Sequence, residues 1–303
     1  MNNFQPPILF IIFNRPDTTI QVFNEIKKIK PSKLYVVADG PRVGKEGEQE
    51  KCEETRKIID LVDWECEVFK NFSDVNLGCK KRVSSGIDWF FENVEQGIIL
   101  EDDCLPDQSF FRFCEELLDK YKNDERVGMI SGDNFQFGRV KNEASYYFSR
   151  YSHIWGWATW GRAWQKYDVN ISSWPQIKKD KILNKVFSNR RDFYYWSAIF
   201  DDVYNNKIDT WDYQWSFTCF VNNYLSAMPS VNLISNVGFN QDEATHTKRF
   251  GKFSNMATSE LTFPLKAPES IIRSVMSDKI VRRDNYPFFR FFFGRLIKKY
   301  LKR

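Results

Sequence analysis

The apolar positions of the chain fall into short buried runs that alternate with amphipathic segments. Ile8–Phe13 is an unbroken apolar run of strand length, and Asp17–Lys30 repeats its apolar residues at helical spacing, with Asp17 or Thr18 as the N-cap. Leu34–Ala38 predicts a second strand that stops at Asp39-Gly40-Pro41. Glu48–Val62 predicts a helix, Glu65–Phe69 a strand, Lys80–Val94 a helix and Gly97–Leu100 a short buried strand. Phe110–Tyr121 and Val127–Ser131 add one more helix and one more strand. This β-α-β-α order predicts an α/β fold with a mainly parallel central sheet flanked by helices. Ligands of such sheets sit beyond the carboxyl ends of the strands. The residues to inspect are therefore Asn14-Arg15, Asp39-Gly40 and Glu101-Asp102-Asp103.

Beyond about residue 133 the alternation fades. Ser152–Trp164 (SHIWGWATWGRAW) is dense in Trp and Gly, residues 175–206 look helical, and Ser230–Ser235 resembles a late strand. Gly238–Gly251 is polar and loop-like. No repeat and no low-complexity linker divides the chain. The expected organisation is one domain over 1–265 in two halves, about 1–132 and about 133–265. A C-terminal extension over 266–303 follows.

Composition narrows the function classes. With 44 Lys and Arg against 40 Asp and Glu, the net charge of +4 carries no argument for nucleic acid. Aromatics reach 17%, enough for a heavy core and for flat faces on which sugars stack. No apolar run approaches the ~20 residues of a spanning helix. The first apolar run lacks the flanks of a signal peptide, so the six cysteines are expected as reduced thiols in a cytoplasmic protein. None of them forms CxxC, and only two histidines exist, His153 and His246. GxGxxG and GxSxG are absent. Gly40–Lys45 (GPRVGK) is one residue short of a P-loop, with Glu46 where the magnesium-binding hydroxyl belongs.

The strongest local signal is IILEDDCLPD over residues 98–107. A buried strand delivers three carboxylates in a row, which repel one another, and a divalent cation relieves that repulsion. Oxygen ligands of this kind suit Mn²⁺ or Mg²⁺ together with substrate phosphates.

This pattern of strand, EDD, short turn and FF-containing helix (Phe110-Phe111) resembles the GT-A glycosyltransferases. It is similar in particular to N-acetylglucosaminyltransferase I and its bacterial relatives, with their EDD version of the DxD motif. ILFIIFNR (8–15), VVADG (36–40), NLGCKKR (76–82), TWDYQW (210–215) and GFNQDEATHT (238–247) follow in the family's order. The resemblance covers roughly residues 6–250 and implies a GT-A, Rossmann-like nucleotide-diphospho-sugar transferase. It implies a UDP-sugar donor, transfer to a hydroxyl of a surface glycan or glycolipid with inversion, and a place in polysaccharide biosynthesis. Asp103 would then ligate the metal, with His246 reaching metal or diphosphate. Glu101, Asp102, Asn14 and Arg15 would face the nucleotide, Asp39 would accept from uracil N3–H, and Lys81 or Arg82 would meet the diphosphate. Asp212, in the Trp-Asp segment, would be the base, with Asp209, Asp242 and Glu243 as competitors. One departure is that Tyr213-Gln214, not a second Asp, follows Trp211-Asp212. His153, Trp155 and Trp157 would form an acceptor-side wall.

Each position also has a plainer reading. Asp39-Gly40-Pro41 makes a good turn, Asp212 a helix N-cap, Lys81 and Arg82 a solvated helix face, and the tryptophans ordinary packing. Two other functions remain open. A sugar-nucleotide pyrophosphorylase would want a Gly-rich loop after the first strand, whereas FNRPDTT (13–19) has no glycine. A catalytically inactive glycan-binding module would bind glycan without consuming donor. The tail Tyr286–Arg303 carries six basic residues and no acid. As a helix it places Phe288, Phe289, Phe292, Phe293, Leu296 and Tyr300 on one arc, which predicts peripheral contact with anionic lipid on the cytoplasmic face of a membrane.

Overall fold

The computed structural model describes residues 6–141, 143–187, 189–239, 252–288 and 291–293. His246, Asp242 and Glu243 lie outside the described residues, as does most of the basic tail.

The chain is α/β, built on an eight-stranded mixed sheet flanked by helices. The strands are β1 (Ile8–Ile12), β2 (Lys33–Ala38), β3 (Glu67–Phe72), β4 (Gln96–Glu101), β6 (Val127–Ser131), β7 (Tyr146–Ser149), β8 (Trp157–Trp160) and β9 (Leu225–Pro229). They are ordered β3-β2-β1-β4-β8-β6-β9-β7. β8 runs antiparallel to both β4 and β6, and β7 antiparallel to β9, so the other six strands share one direction. A two-stranded antiparallel ribbon joins β5 (Cys104–Pro106) to β10 (Ile234–Asn236).

The apolar runs become central strands because both faces are covered by protein. Successive side chains point to opposite faces. Ile8, Phe10, Ile12, Val36 and Leu100 enter one core with α1 (Pro16–Ile29) and α4 (Gln108–Tyr121). Leu9, Ile11, Val37, Ile99 and Trp157 enter the other with α3 (Gly78–Asn93) and α9 (Asp212–Val221). A third core gathers Trp174, Trp196, Phe200, Phe217 and Phe220. Its helices are α6 (Trp174–Lys179), α7 (Leu183–Val186), α8 (Arg190–Tyr204) and α9, with α10 (Val275–Asn285) packed alongside.

Several boundaries differ from the sequence expectation for identifiable reasons. α1 opens at Pro16 with Arg15 at its N-cap, because the proline ring presets the first helical φ. The third strand starts at Glu67 and runs on to Phe72, in register with all six residues of β2. The expected helix over 175–206 breaks into three, with Lys181 at φ 54 between the first two. β7, β8 and β9 complete the sheet where alternation had seemed to fade, and the late strand is Ile234–Asn236. The start of the tail docks on the third core, since Phe291 stands 4.6 Å from Tyr195, ring to ring. Phe288, assigned to the lipid-facing arc, packs against the same core. Phe293 is exposed, and 294–303 lie outside the described residues. Among the described residues, no helix is long and apolar enough to cross a membrane. All six cysteines are free.

Candidate active site

The sheet has a topological switch point between β1 and β4. From β1 the chain crosses through α1 to β2 on one side, while β4 pairs with β1 on the other. A crevice for ligands opens beyond the carboxyl ends of such neighbours. Phe13-Asn14-Arg15 leave β1 there, and Glu101-Asp102-Asp103 leave β4.

The two loops are tied by charge. Arg15 bridges the acids, with Nη2 at 2.5 Å from Asp102 Oδ1 and Nη1 at 2.8 Å from Asp103 Oδ2. The Phe13 N–H donates to Asp102 Oδ2 at 3.0 Å. Burial works against the Arg15 cation, but Asp102 and Asp103 outweigh it and hold its pKa above the ordinary value. Burial pushes the Asp102 carboxyl up, Arg15 and the Phe13 N–H pull it back, and it settles at about 6. Glu101, which is partly exposed, is driven up to about 8 by burial first, then by Asp103 and Asp102, against the pull of Arg15. Three carboxylates thus share one guanidinium. β10 supports this turn from behind, the Val237 N–H donating to the Asp103 carbonyl at 2.8 Å. Gly238 then lies so close that a Cβ there would stand 2.2 Å from Asp103 Oδ2 and 2.6 Å from Arg15 Nη1.

Asp212 lies within electrostatic reach of these acids. It is the first residue of α9, with Trp211 as N-cap, so the helix N-cap reading of Asp212 does not hold. Its carboxylate accepts from the Thr210 hydroxyl, and its charge reaches Glu101. Asp209 lies beside the start of α3, its Oδ2 within 3.7 Å of where a Gly78 side chain would begin.

Other predicted site residues have internal tasks. Asp39 ties β2 to α3. Its Oδ1 accepts from the Gly40 and Leu77 N–H groups at 3.0 and 2.9 Å, and its Oδ2 from the Gly78 N–H at 3.0 Å and the Asn76 amide at 3.1 Å. Gly78, at φ 78, turns its N–H to that carboxylate, a conformation that suits glycine. Arg82 corrects its expected role at the diphosphate. It is buried, and its guanidinium donates to the carbonyls of Ala38 and Asn71 and to the Asn71 side chain. Lys81 is exposed on α3. Asn14 is buried and donates to Glu48 at 2.9 Å. Glu48, which opens α2 (Glu48–Lys57), also accepts from the Arg42 backbone and guanidinium. Beside Asp39 and this loop, a cleft of about 800 Å³ is lined by Arg42, Lys45, Glu46, Asp74 and Asn76 among others.

On the acceptor side Trp157 is also corrected. It is fully buried in β8 and stacks on Trp211 at 5.8 Å, so it packs the core and offers no wall. Trp155 is half-buried just ahead of β8, its ring 5.3 Å from Phe135 and 5.7 Å from Phe239. His153 is buried against Phe135 at 4.6 Å, and burial lowers its pKa to about 3, so it is neutral.

Asp133 escaped the sequence reading. It follows β6 at the same edge, fully buried, with its carboxyl pushed well above the usual range by that burial. Oδ2 accepts from the Trp155 N–H at 3.1 Å, while Oδ1 has no partner among the described residues. The signal was present as an acid two residues beyond an apolar run, VGMIS, the same grammar as Asp39 after VVA.

A divalent cation fits this chemistry. The donors are carboxylate oxygens, and the pKa of Glu101 is raised by burial first and then by Asp103 and Asp102. Among the described residues no group of three acids, cysteines or histidines is arranged to hold a metal ion, and Asp102 and Asp103 both pair with Arg15. No protein-family model and no curated protein matches the chain.

Proposed function

We propose that the chain is a metal-dependent glycosyltransferase of the GT-A type. It transfers a sugar from a UDP-sugar to a hydroxyl of a glycan or glycolipid, with inversion. The observation that carries this reading is the pairing of Arg15 with Asp102 and Asp103 at the switch point, beside Glu101, with Asp212 near enough for its charge to act on Glu101. Mn²⁺ or Mg²⁺, when bound, supplies positive charge that stabilises the departing diphosphate. Asp103 and Glu101 would hold it. Arg15 offers a planar fork suited to phosphate oxygens. The nucleoside lies along the open cleft beside Asp39, where Asn76 and the 41–46 loop provide its walls.

Inversion needs a base on the face opposite the leaving group. Asp212 takes the proton from the attacking hydroxyl at its carboxylate, close to the buried Trp211 and Trp215. The acceptor ring has the half-buried Trp155 as a stacking face, with Asp133 at its backbone.

The test is calorimetric titration of UDP with and without Mn²⁺ into the wild type and Asp103→Asn. The reading expects Mn²⁺-dependent UDP binding in the wild type and its loss in a folded variant. Equal Mn²⁺-dependent binding by both proteins would reject the role of Asp103.

A further inference from the structure

We infer that Arg15 is a built-in counter-ion that occupies the cation's place on Asp103, so that a divalent cation loads only as the guanidinium leaves. This inference rests on the glycosyltransferase reading for the identity of the diphosphate that draws Arg15 away.

The geometry leaves little room for both. Arg15 Nη1 is 2.8 Å from Asp103 Oδ2, and Gly238 lies against the pair, where a Cβ would stand 2.2 Å from that oxygen and 2.6 Å from Nη1. The remaining oxygen, Oδ1, faces the Cys104 thiol at 3.4 Å. A hard cation binds carboxylate oxygens closely and repels a neighbouring guanidinium, so the two compete for the Oδ2 that holds Nη1.

The side chain can move while its backbone stays. The Arg15 carbonyl accepts from the Thr19 hydroxyl at 2.6 Å and the Thr19 N–H at 3.0 Å, which fixes the start of α1. The Arg15 side chain keeps 17% of its surface exposed, so it is not sealed in the pair. A diphosphate can take it over, because guanidinium forks onto phosphate oxygens as well as onto carboxylates. Swinging from Asp103 to phosphate would free Oδ2 for the cation and pair every charge in one step. Arg15 is on this account a positioning residue that couples cation to nucleotide.

The experiment measures Mn²⁺ binding to the full chain by electron paramagnetic resonance, with and without UDP, and thermal stability in EDTA and in Mn²⁺. Wild type should bind Mn²⁺ alone weakly and bind it about tenfold tighter with UDP, a usual size of coupling between sites. Arg15→Gln should bind Mn²⁺ alone about tenfold tighter than wild type and lose most of the UDP effect. Its melting temperature should fall in EDTA and recover in Mn²⁺ by more than the wild type gains. A structural arginine would lower the melting temperature without that recovery. Arg15→Lys, whose single ammonium cannot bridge both acids, should lie between the two and decides the matter if the Gln variant does not fold. Unchanged affinity for Mn²⁺ alone in the folded variants would overturn the inference, and it would leave the glycosyltransferase reading standing if wild type still couples Mn²⁺ to UDP. A variant that gains Mn²⁺ while wild type shows no UDP effect would keep the counter-ion and remove the glycosyltransferase reading.

Discussion

Asp133→Asn should stabilise the protein, and by an amount that grows with pH. The carboxyl is fully buried, and burial pushes its pKa well above the ordinary value against the pull of the Trp155 N–H. An unfolded Asp titrates near ~3.9. Above that pH the unfolded chain has released a proton that the folded chain still holds. Stability contributed by the group is therefore complete below the unfolded pKa. It is lost as pH rises, at about 1.4 kcal/mol per pH unit, until the folded carboxyl ionises. Asparagine has no such slope. Its oxygen can keep the 3.1 Å bond from Trp155, and its NH₂ replaces the carboxylic O–H. The carboxylic acid leaves one buried donor without a partner and the amide leaves two, so the variant carries an extra cost of about 1–3 kcal/mol that does not change with pH. From pH 5 to pH 7 the variant should therefore gain up to about 3 kcal/mol on wild type. Thermal and urea unfolding at pH 5, 6 and 7 reads this directly. Parallel profiles for the two proteins, or a variant less stable at pH 7, would refute the reasoning.

Asp212→Asn should cost about 10²–10⁴ in turnover with UDP binding intact, and steady-state kinetics with a matched donor and acceptor that show near-normal kcat would move the base elsewhere. Gly238→Ala should cost about 1–3 kcal/mol and weaken UDP binding, because its Cβ overlaps Asp103 and Arg15; an unchanged melting temperature would mean that the segment yields freely. Asp284, on α10, is pushed up by burial but held well below the carboxylate range by Arg139, Lys252 and Arg283. Its stabilisation is present above the unfolded value near ~3.9 and is lost as pH falls below it, so Asp284→Asn should flatten acid unfolding between about pH 4 and pH 2. Truncation after Phe293 spares Tyr286 and Phe291 in the third core, and it should abolish flotation on anionic liposomes if the basic tail binds lipid; equal flotation rejects the anchor.

The first half of the chain was legible because β1, β2 and β4 are apolar runs whose two faces both meet protein, and its acids sit where those runs stop. Glu101-Asp102-Asp103 could be placed at a strand end without knowing their partner. That Arg15 is the partner was not legible, since 87 residues separate it from Asp102 and only the β1–β4 pairing brings them together. β7 and β8 are four residues each and rich in Tyr and Trp, too short to show a period. Trp157 misled for a related reason. A Trp-Gly-rich run reads as a binding wall, yet strand pairing through Gln96–Ile99 fixes which ring points inward. Arg82 and Asp39 misled differently. Their partners are backbone groups of neighbouring elements, carbonyls for Arg82 and N–H groups for Asp39, and nothing in the composition of a segment reveals that such a group will stand within reach.

Buried polar groups normally find partners, and the exceptions concentrate where a fold trades stability for function. Asn14 Oδ1, Asp133 Oδ1 and His153 Nε2 are buried and without partners among the described residues. They come from the loop after β1, the loop after β6 and the approach to β8, three segments far apart in sequence. Because β8 runs against β4 and β6, its approach lies at the same edge as the carboxyl ends of the parallel strands. These three belong to the edge that carries Arg15 and the three acids. Others lie elsewhere: Arg162 Nη1, Ser197 Oγ, Ser226 Oγ and Asn285 Oδ1 are buried and without partners among the described residues too. Unsatisfied hydrogen bonds therefore do not single out that edge, and what points to ligand chemistry there is the charge of Arg15 and the three carboxylates.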